Sequence, residues 1–259
     1  MVKCTADGPR ETDFVRLVSK LVVKYALRRD EYNTLDPERV IEISRKARGR
    51  FRKNDPKAEL GELILFALLE SERQAPQIIN KMALKMHGNV PVLGFDAIHV
   101  KIGEGDTQLF FGESKMMKDL VAAIGEAVKD IADRKKDVTR VGFEIDLVCN
   151  YLDESRFKDH IDQIRTILDP YAPNKGDLSE INSIFIGSNW TSFKVADWST
   201  AGAGLEEHLA KVLSEEIPRI RSKCEELLTR HEVQNLTEFF FIPFTSVDRV
   251  GAVFKEMIR

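Results

Sequence analysis

The stretch that most limits what this 259-residue chain can become lies between residues 92 and 115. Two short extended runs, Val92 to Ile102 and Gln108 to Lys115, flank the tetrad Gly103-Glu104-Gly105-Asp106. Extended runs joined by a Gly-rich turn read as a β-hairpin. Helical signals sit on both sides of it. Ahead, Asn54-Asp55-Pro56 offers an N-cap followed by proline at the first helical position, and Leu60, Leu63, Ile64, Ala67 and Leu68 continue towards Glu70 at helical spacing. Behind, Leu120, Ile124, Ala127, Val128 and Ile131 share one face of a helix expected over about Met117 to Arg134. Helices that bracket a hairpin bury their apolar stripes on its faces, so the spacing predicts a helix-rich α/β protein.

The remaining segments extend that picture. Phe14, Leu17, Val18, Leu21, Val22 and Tyr25 predict one amphipathic helix near the start, and Asp36-Pro37 starts another towards Arg50. Val141 to Cys149 suits a strand, Ser155 to Leu168 a helix, and Pro170 to Asp177 a loop. Ile181 to Ile186 and Phe239 to Phe244 fit buried strands; between them Leu205 to Thr229 is helical in pattern, with Pro218 able to kink it. A short closing helix starts at Thr245.

The hairpin also concentrates chemistry. Alternation along a strand sends Glu113 and Lys115 to one side and Ser114 to the other. In an antiparallel pair the start of one strand lies beside the end of the next, which sets Asp96 alongside Glu113. Adjacent carboxylates repel unless a cation holds them. Hard oxygen donors (Asp96, Glu113, the Ser114 backbone carbonyl and water) suit Mg²⁺, with Mn²⁺ as a substitute. Such an ion polarises a phosphoryl oxygen and acidifies bound water, while Lys115 positions that water or stabilises the transition-state charge. On the helix from Pro56, Glu59 and Glu62 flank Gly61, a residue small enough to let the helix approach the sheet closely. Glu62 is then expected to reach the metal edge, directly or through water, with Glu59 in support.

A net charge of −3 neither requires nor excludes a polyanionic partner, so local basicity decides. Arg45, Lys46, Arg48, Arg50, Arg52, Lys53 and Lys57 crowd a short stretch before the first motif. Of these, Arg48, Arg50, Arg52 and Lys53, together with Lys118 after the Glu-x-Lys, are the candidate phosphate contacts; a solvated helix face is the plain alternative. Other chemistries find little support. His99 falls on the strand face away from Asp96, and His87, His160, His208 and His231 lack zinc-hydrolase spacing. Gly202-Ala203-Gly204 lacks the lysine of a phosphate loop, and Ser188-Asn189-Trp190 suits a groove or a turn. The scattered Cys4, Cys149 and Cys224 predict free thiols. No apolar run approaches a membrane span, and the first ten residues do not read as a secretory signal, so a cytoplasmic location is expected.

The order Glu62, Asp96, Glu113-Ser114-Lys115 resembles the PD-(D/E)xK nuclease superfamily, with Phe95 in place of the proline that names it. Proline is not a ligand, so that departure costs the chemistry little. The strings AELGELILFALLE (58–70), GFDAIHV (94–100) and LFFGESKMMKD (109–119) are similar to the HamA family, the nuclease subunits of Hachiman anti-phage defence. FIGSNW (185–190) and FFFIPF (239–244) are compatible with it. The resemblance implies a restriction-endonuclease-like core, a mixed sheet flanked by helices, in one nuclease domain over 1–259. Within it, helices would occupy 1–55, the core about 56–150 and a further α/β part 151–259. It also implies DNA cleavage with little sequence preference, restrained by a superfamily 2 helicase subunit of the HamB type. Two other readings are a non-enzymatic subunit that binds helicase or nucleic acid on the same fold, and a restriction or repair nuclease acting alone.

Overall fold

A computed structural model describes residues 4–5, 8–33, 37–52, 54–78, 82, 94–103, 106–136, 152, 154, 156–169, 178–191 and 205–259. A two-residue strand pair opens the chain, β1 (Cys4–Thr5) against β2 (Gly8–Pro9). Helices α1 (Glu11–Ser19), α2 (Val22–Ala26), α3 (Arg29–Tyr32), α4 (Pro37–Gly49) and α5 (Pro56–Glu72) follow. The hairpin is β3 (Ala97–Ile102) and β4 (Thr107–Met117). Then come α6 (Leu120–Lys136), α7 (Ile161–Leu168), β5 (Leu178–Asn189), α8 (Leu205–Arg230), β6 (Leu236–Phe244) and α9 (Val247–Met257).

The main sheet has four strands in the order β3-β4-β5-β6. β3 and β4 pair antiparallel, whereas β4, β5 and β6 run parallel, so the sheet is mixed. The parallel strands are linked through helical connections, and helices cover both faces, as parallel pairing requires. On one face α5 packs against β3, β4 and β5, with α9 beside it. Leu60, Phe66, Phe254, Phe110, Phe185 and Phe244 meet there in the largest apolar cluster. The other face carries α6 and α8 over Ile184 and Ile186, and α7 over Ile98, Val100 and Leu109.

Helix α5 is set by its start and by its surroundings. The Asp55 side chain accepts from the Ala58 N–H at 3.3 Å, and Pro56 needs no intrahelical donor. Leu60, Leu63, Ile64, Leu65, Phe66 and Leu69 are all buried, as are Glu59 and Glu62. A helix apolar on nearly every side belongs in the middle of a protein rather than on its surface. Gly61 makes the close approach possible, because a Cβ there would lie 3.0 Å from Met116 Cγ and 3.4 Å from Ser114 Oγ.

Several elements differ in extent from their sequence-based expectation. The single opening helix is two, because the Lys20 and Leu21 N–H groups donate to carbonyls three residues back and tighten the end of α1. β3 begins at Ala97 rather than Val92, with Asp96 in the bend just before it. α7 begins at Ile161 rather than Ser155. β5 spans Leu178–Asn189, longer than its apolar run at both ends because the parallel ladders with β4 and β6 continue there; within it, the buried Asn182 amide and Ser183 hydroxyl donate to Thr237 (2.9 Å) and Glu238 (2.6 Å). α8 continues through Pro218. The strand expected over Val141 to Cys149 and the loop after Pro170 lie outside the described residues. Among those described, Cys224 is a buried free thiol, and no helix is long and apolar enough to cross a membrane.

Candidate active site

The paired register of the hairpin ends at Ala97 and Gly112. The Asp96 N–H donates to the Gly112 carbonyl at 2.9 Å, the residue that Ala97 already opposes, so Asp96 steps out of register as a bulge at the end of the hairpin. Its negative charge still acts on Glu113. Beyond it, the Ser114 N–H and hydroxyl both donate to Asp96 Oδ2, each at 2.9 Å. The side chain of Asp96 thereby takes the place that a backbone partner of Ser114 would hold. In extended antiparallel backbone a residue's N–H and C=O point to the same side, so the Ser114 carbonyl faces this same edge.

Glu113 projects to the face covered by α6. It is 2% exposed, and its Oε1 lies 2.9 Å from Lys115 Nζ. Its Oε2 is taken by Arg134. Burial, then the negative charge of Asp96, push the Glu113 carboxyl up to about 7, against the pull of Arg134 and Lys115. Lys115 goes the other way. Burial favours its neutral form, but the charge of Glu113 and hydrogen bonds to Asp130 and Glu113 outweigh that and hold the ammonium above its ordinary range. The bond to Asp130 Oδ2 is 2.6 Å. Lys115 is therefore a fixed positive charge at neutral pH, not a base.

Asp130 and Arg134 were missed by the sequence reading. They lie one turn apart on α6, on the stripe that continues Ala127 by three and seven residues, so they project towards the sheet with the apolar side chains. A charged residue on a helix's buried stripe is the signal that could have marked them.

Glu59 and Glu62 belong to the opposite face of β4. α5 packs on the Ser114 and Met116 side, so Glu62 lies across the sheet from Glu113 and Lys115, on the face of the Ser114 hydroxyl that holds Asp96. It is 4% exposed and accepts a hydrogen bond from the buried Tyr25 hydroxyl at 2.8 Å. Burial, with the charges of Glu62, Glu59 and Asp96, raises the Tyr25 phenol well above its ordinary range. Asp96 is thus felt electrostatically on both faces of the sheet, at Glu113 and at Tyr25. Glu59 is held by Arg52 Nε at 2.7 Å, and the same guanidinium lies 3.8 Å from Glu62.

The donor set can be judged from these contacts. Among the described residues no three His, Cys, Asp or Glu side chains converge on one metal-sized point. Two carboxylates on one edge, a backbone carbonyl facing it and the remaining positions left to water make an all-oxygen set, which fits Mg²⁺ or Mn²⁺. The raised carboxyl of Glu113 points the same way, since a further cation would favour its ionised form.

The basic candidates separate. Arg50 turns inward: its side chain is 6% exposed, donates to the Ala26 carbonyl, and pairs with Glu31 at 2.8 Å. It ties α4 to α2 and α3 and is not a phosphate contact in this arrangement. Arg52 is committed to Glu59. Arg48 is exposed on α4, beside Arg45, Val40 and Ile41. Lys118 is 69% exposed and pairs with Asp248 at 2.9 Å, a surface pair that solvent weakens. Lys53 lies outside the described residues. His99 is a core histidine, buried with Nδ1 2.7 Å from the Ala75 carbonyl. Asn189 accepts from the Val247 N–H at 2.8 Å and so steadies the start of α9, while Trp190 donates to Glu216 at 3.0 Å.

Fold and site together define a class: a helix-rich α/β protein whose mixed four-stranded sheet carries a paired-carboxylate and lysine cluster at the edge of its hairpin. The chain belongs to the HamA family, whose family model matches residues 2–258. Membership makes it a component of Hachiman antiviral defence. No curated protein matches it.

Proposed function

We propose that this chain is a metal-dependent DNA nuclease that hydrolyses phosphodiester bonds as the effector subunit of its defence system. The observation that carries the reading is the Lys115 ammonium on Glu113, next to Ser114, which holds the Asp96 carboxylate close enough for its charge to act on Glu113. The family match supports the defence role, and the superfamily 2 helicase partner enters through that family alone.

Asp96, Glu113 and the Ser114 carbonyl would hold Mg²⁺, which when bound supplies Lewis-acid polarisation of a phosphoryl oxygen and an acidified water. The chain's own groups do the rest. The two Ser114 donors fix the rotamer of Asp96, so its carboxylate needs no reorganisation when substrate arrives. Lys115, kept protonated by Glu113 and Asp130, sets a positive charge where the phosphorane oxygens gain negative charge. Burial of Glu113 keeps bulk water from screening these interactions. Glu62 and Glu59, with Tyr25 and Arg52, support α5 from the far side of β4.

Degradation of plasmid DNA in Mg²⁺ by the purified chain, with and without a co-expressed helicase subunit, tests the reading. Glu113→Gln and Lys115→Ala are each expected to lower the rate by roughly a hundredfold or more in protein that circular dichroism shows to be folded at the assay temperature. Variants that cut at the parental rate would remove these residues from the site. A parent that never cuts, with or without the helicase, makes the chain a non-enzymatic subunit.

A further inference from the structure

We propose that Arg134 is a phosphate-binding residue of this site, held on Glu113 until a divalent cation and DNA take it over. The inference rests on the nuclease reading above and assigns a substrate contact on α6. Arg134 reaches Glu113 Oε2 through one terminal nitrogen, and its guanidinium carbon lies 5.0 Å from the centre of the Phe95 ring. Only 11% of the side chain is exposed. Its other terminal nitrogen, Nη1, is buried and has no hydrogen-bond partner among the described residues. A guanidinium is a rigid fork that matches two oxygens of a carboxylate or a phosphate. Here one tine is used, and a buried N–H is left without an acceptor, an arrangement that costs free energy.

The two cations on Glu113 are not equivalent. Lys115 has a second acceptor, Asp130, at 2.6 Å. Arg134 has no second acceptor among the described residues. With Lys115 on Oε1 and Arg134 on Oε2, both oxygens of Glu113 are occupied. A divalent ion binding Glu113 meets the positive charge of Arg134 at close range, so the guanidinium opposes the metal while it stays. A DNA phosphate at the same edge offers the fork a charge-matched acceptor and relieves that opposition. Metal and DNA therefore favour each other's binding through Arg134, and by linkage the effect is reciprocal. The stacked Phe95 ring keeps the guanidinium near the site as its polar partner changes.

The test uses the full chain and Mn²⁺, read by electron paramagnetic resonance, together with anisotropy of a labelled DNA duplex in Ca²⁺ or in chelator. Arg134→Gln is expected to bind Mn²⁺ on the order of tenfold more tightly without DNA, and to lose the gain in DNA affinity that the cation gives the parent. Arg134→Gln binding Mn²⁺ no more tightly than the parent, or keeping the full gain, would overturn the proposal and leave Arg134 a structural counter-ion. Should Arg134→Gln fail to fold, Arg134→Lys carries the test, since it keeps the charge but not the fork. Parental Mn²⁺ affinity with a reduced gain supports the proposal; an undiminished gain overturns it. A parent that binds no Mn²⁺ at all fails the nuclease reading itself, a result distinct from failure of the Arg134 variants alone.

Discussion

Arg50 and Arg48 stand two residues apart and look alike in the sequence, yet the structure gives them opposite work. Truncating Arg50 to alanine removes a charged hydrogen bond to Glu31 and leaves the Ala26 carbonyl without its side-chain donor. Hydrogen bonds to charged groups contribute about 1.5–3 kcal/mol, and a buried group left unpaired costs a similar amount. Glu31 keeps Lys46 at 2.8 Å and is itself 21% exposed, so the low end applies and the loss is about 2–3 kcal/mol. For a chain of this size that lowers the melting temperature by about 4–12 °C. Arg48→Ala, at an exposed helix position, is expected to change stability by less than about 0.5 kcal/mol. Thermal and urea unfolding measure both, with duplex-DNA affinity followed against salt. An Arg50→Ala variant that melts like the parent but binds DNA more weakly would make Arg50 a phosphate contact after all and refute its structural role.

Two further outcomes follow from packing and from protonation. Gly112→Ala sets a Cβ 2.8 Å from both Ala97 Cβ and Leu65 Cδ2 and is expected to cost about 1–3 kcal/mol. Gly125→Ala, which meets nothing within 4 Å inside α6, should instead stabilise by about 0.5–1 kcal/mol, and urea unfolding of the pair contradicts this packing if the two agree in sign. His99 contributes to the pH dependence, since its burial pulls the imidazole down to about 4 from an ordinary value near 6.5. The unfolded chain gains a proton as pH falls through about 6.5 while the folded chain does not, so this stability is complete above that pH. About 2 kcal/mol of it is lost between pH 6.5 and 5. The raised carboxyl of Glu113 gains stability as pH falls through the same window and so opposes this loss. His99→Gln should therefore gain stability relative to the parent as pH falls from 6.5 to 5, and parallel pH profiles would contradict the assignment.

The hairpin was legible because turn chemistry and alternation speak for themselves over a few residues. Gly103 to Asp106 sets the turn, and the pairing Ala97 to Gly112 follows from it. Glu113 and Lys115 share a face through that alternation, whereas Asp96 lies past the last pair and is placed by the Ser114 hydrogen bonds. What the sequence hid was set by three-dimensional neighbours. Glu62 sits three residues from Glu59 on a helix with apolar side chains all round, so no stripe reveals which face meets which strand. Only the contacts of Gly61 with Ser114 and Met116 show that α5 lies across β4 from Glu113. Arg50 reads as part of a basic run, and its burial depends on α2 and α3 folding back over α4. β5 runs beyond its apolar stretch at both ends, through Leu178 to Glu180 and Gly187 to Asn189, where polar residues pair with β4 and β6 in the parallel ladder. Asp130 and Arg134 were hidden in a charged helix whose polar positions mostly face solvent.

The proposed activity requires one divalent ion shared by Asp96 and Glu113 at the end of the hairpin. A crystal of the chain grown with Mn²⁺, with anomalous differences collected at the manganese edge, tests it most directly. The expected map shows a peak bonded to both carboxylates and the Ser114 carbonyl, with Arg134 drawn off Glu113. A peak bound elsewhere, or none at saturating Mn²⁺ with Arg134 still seated on Glu113, would contradict it.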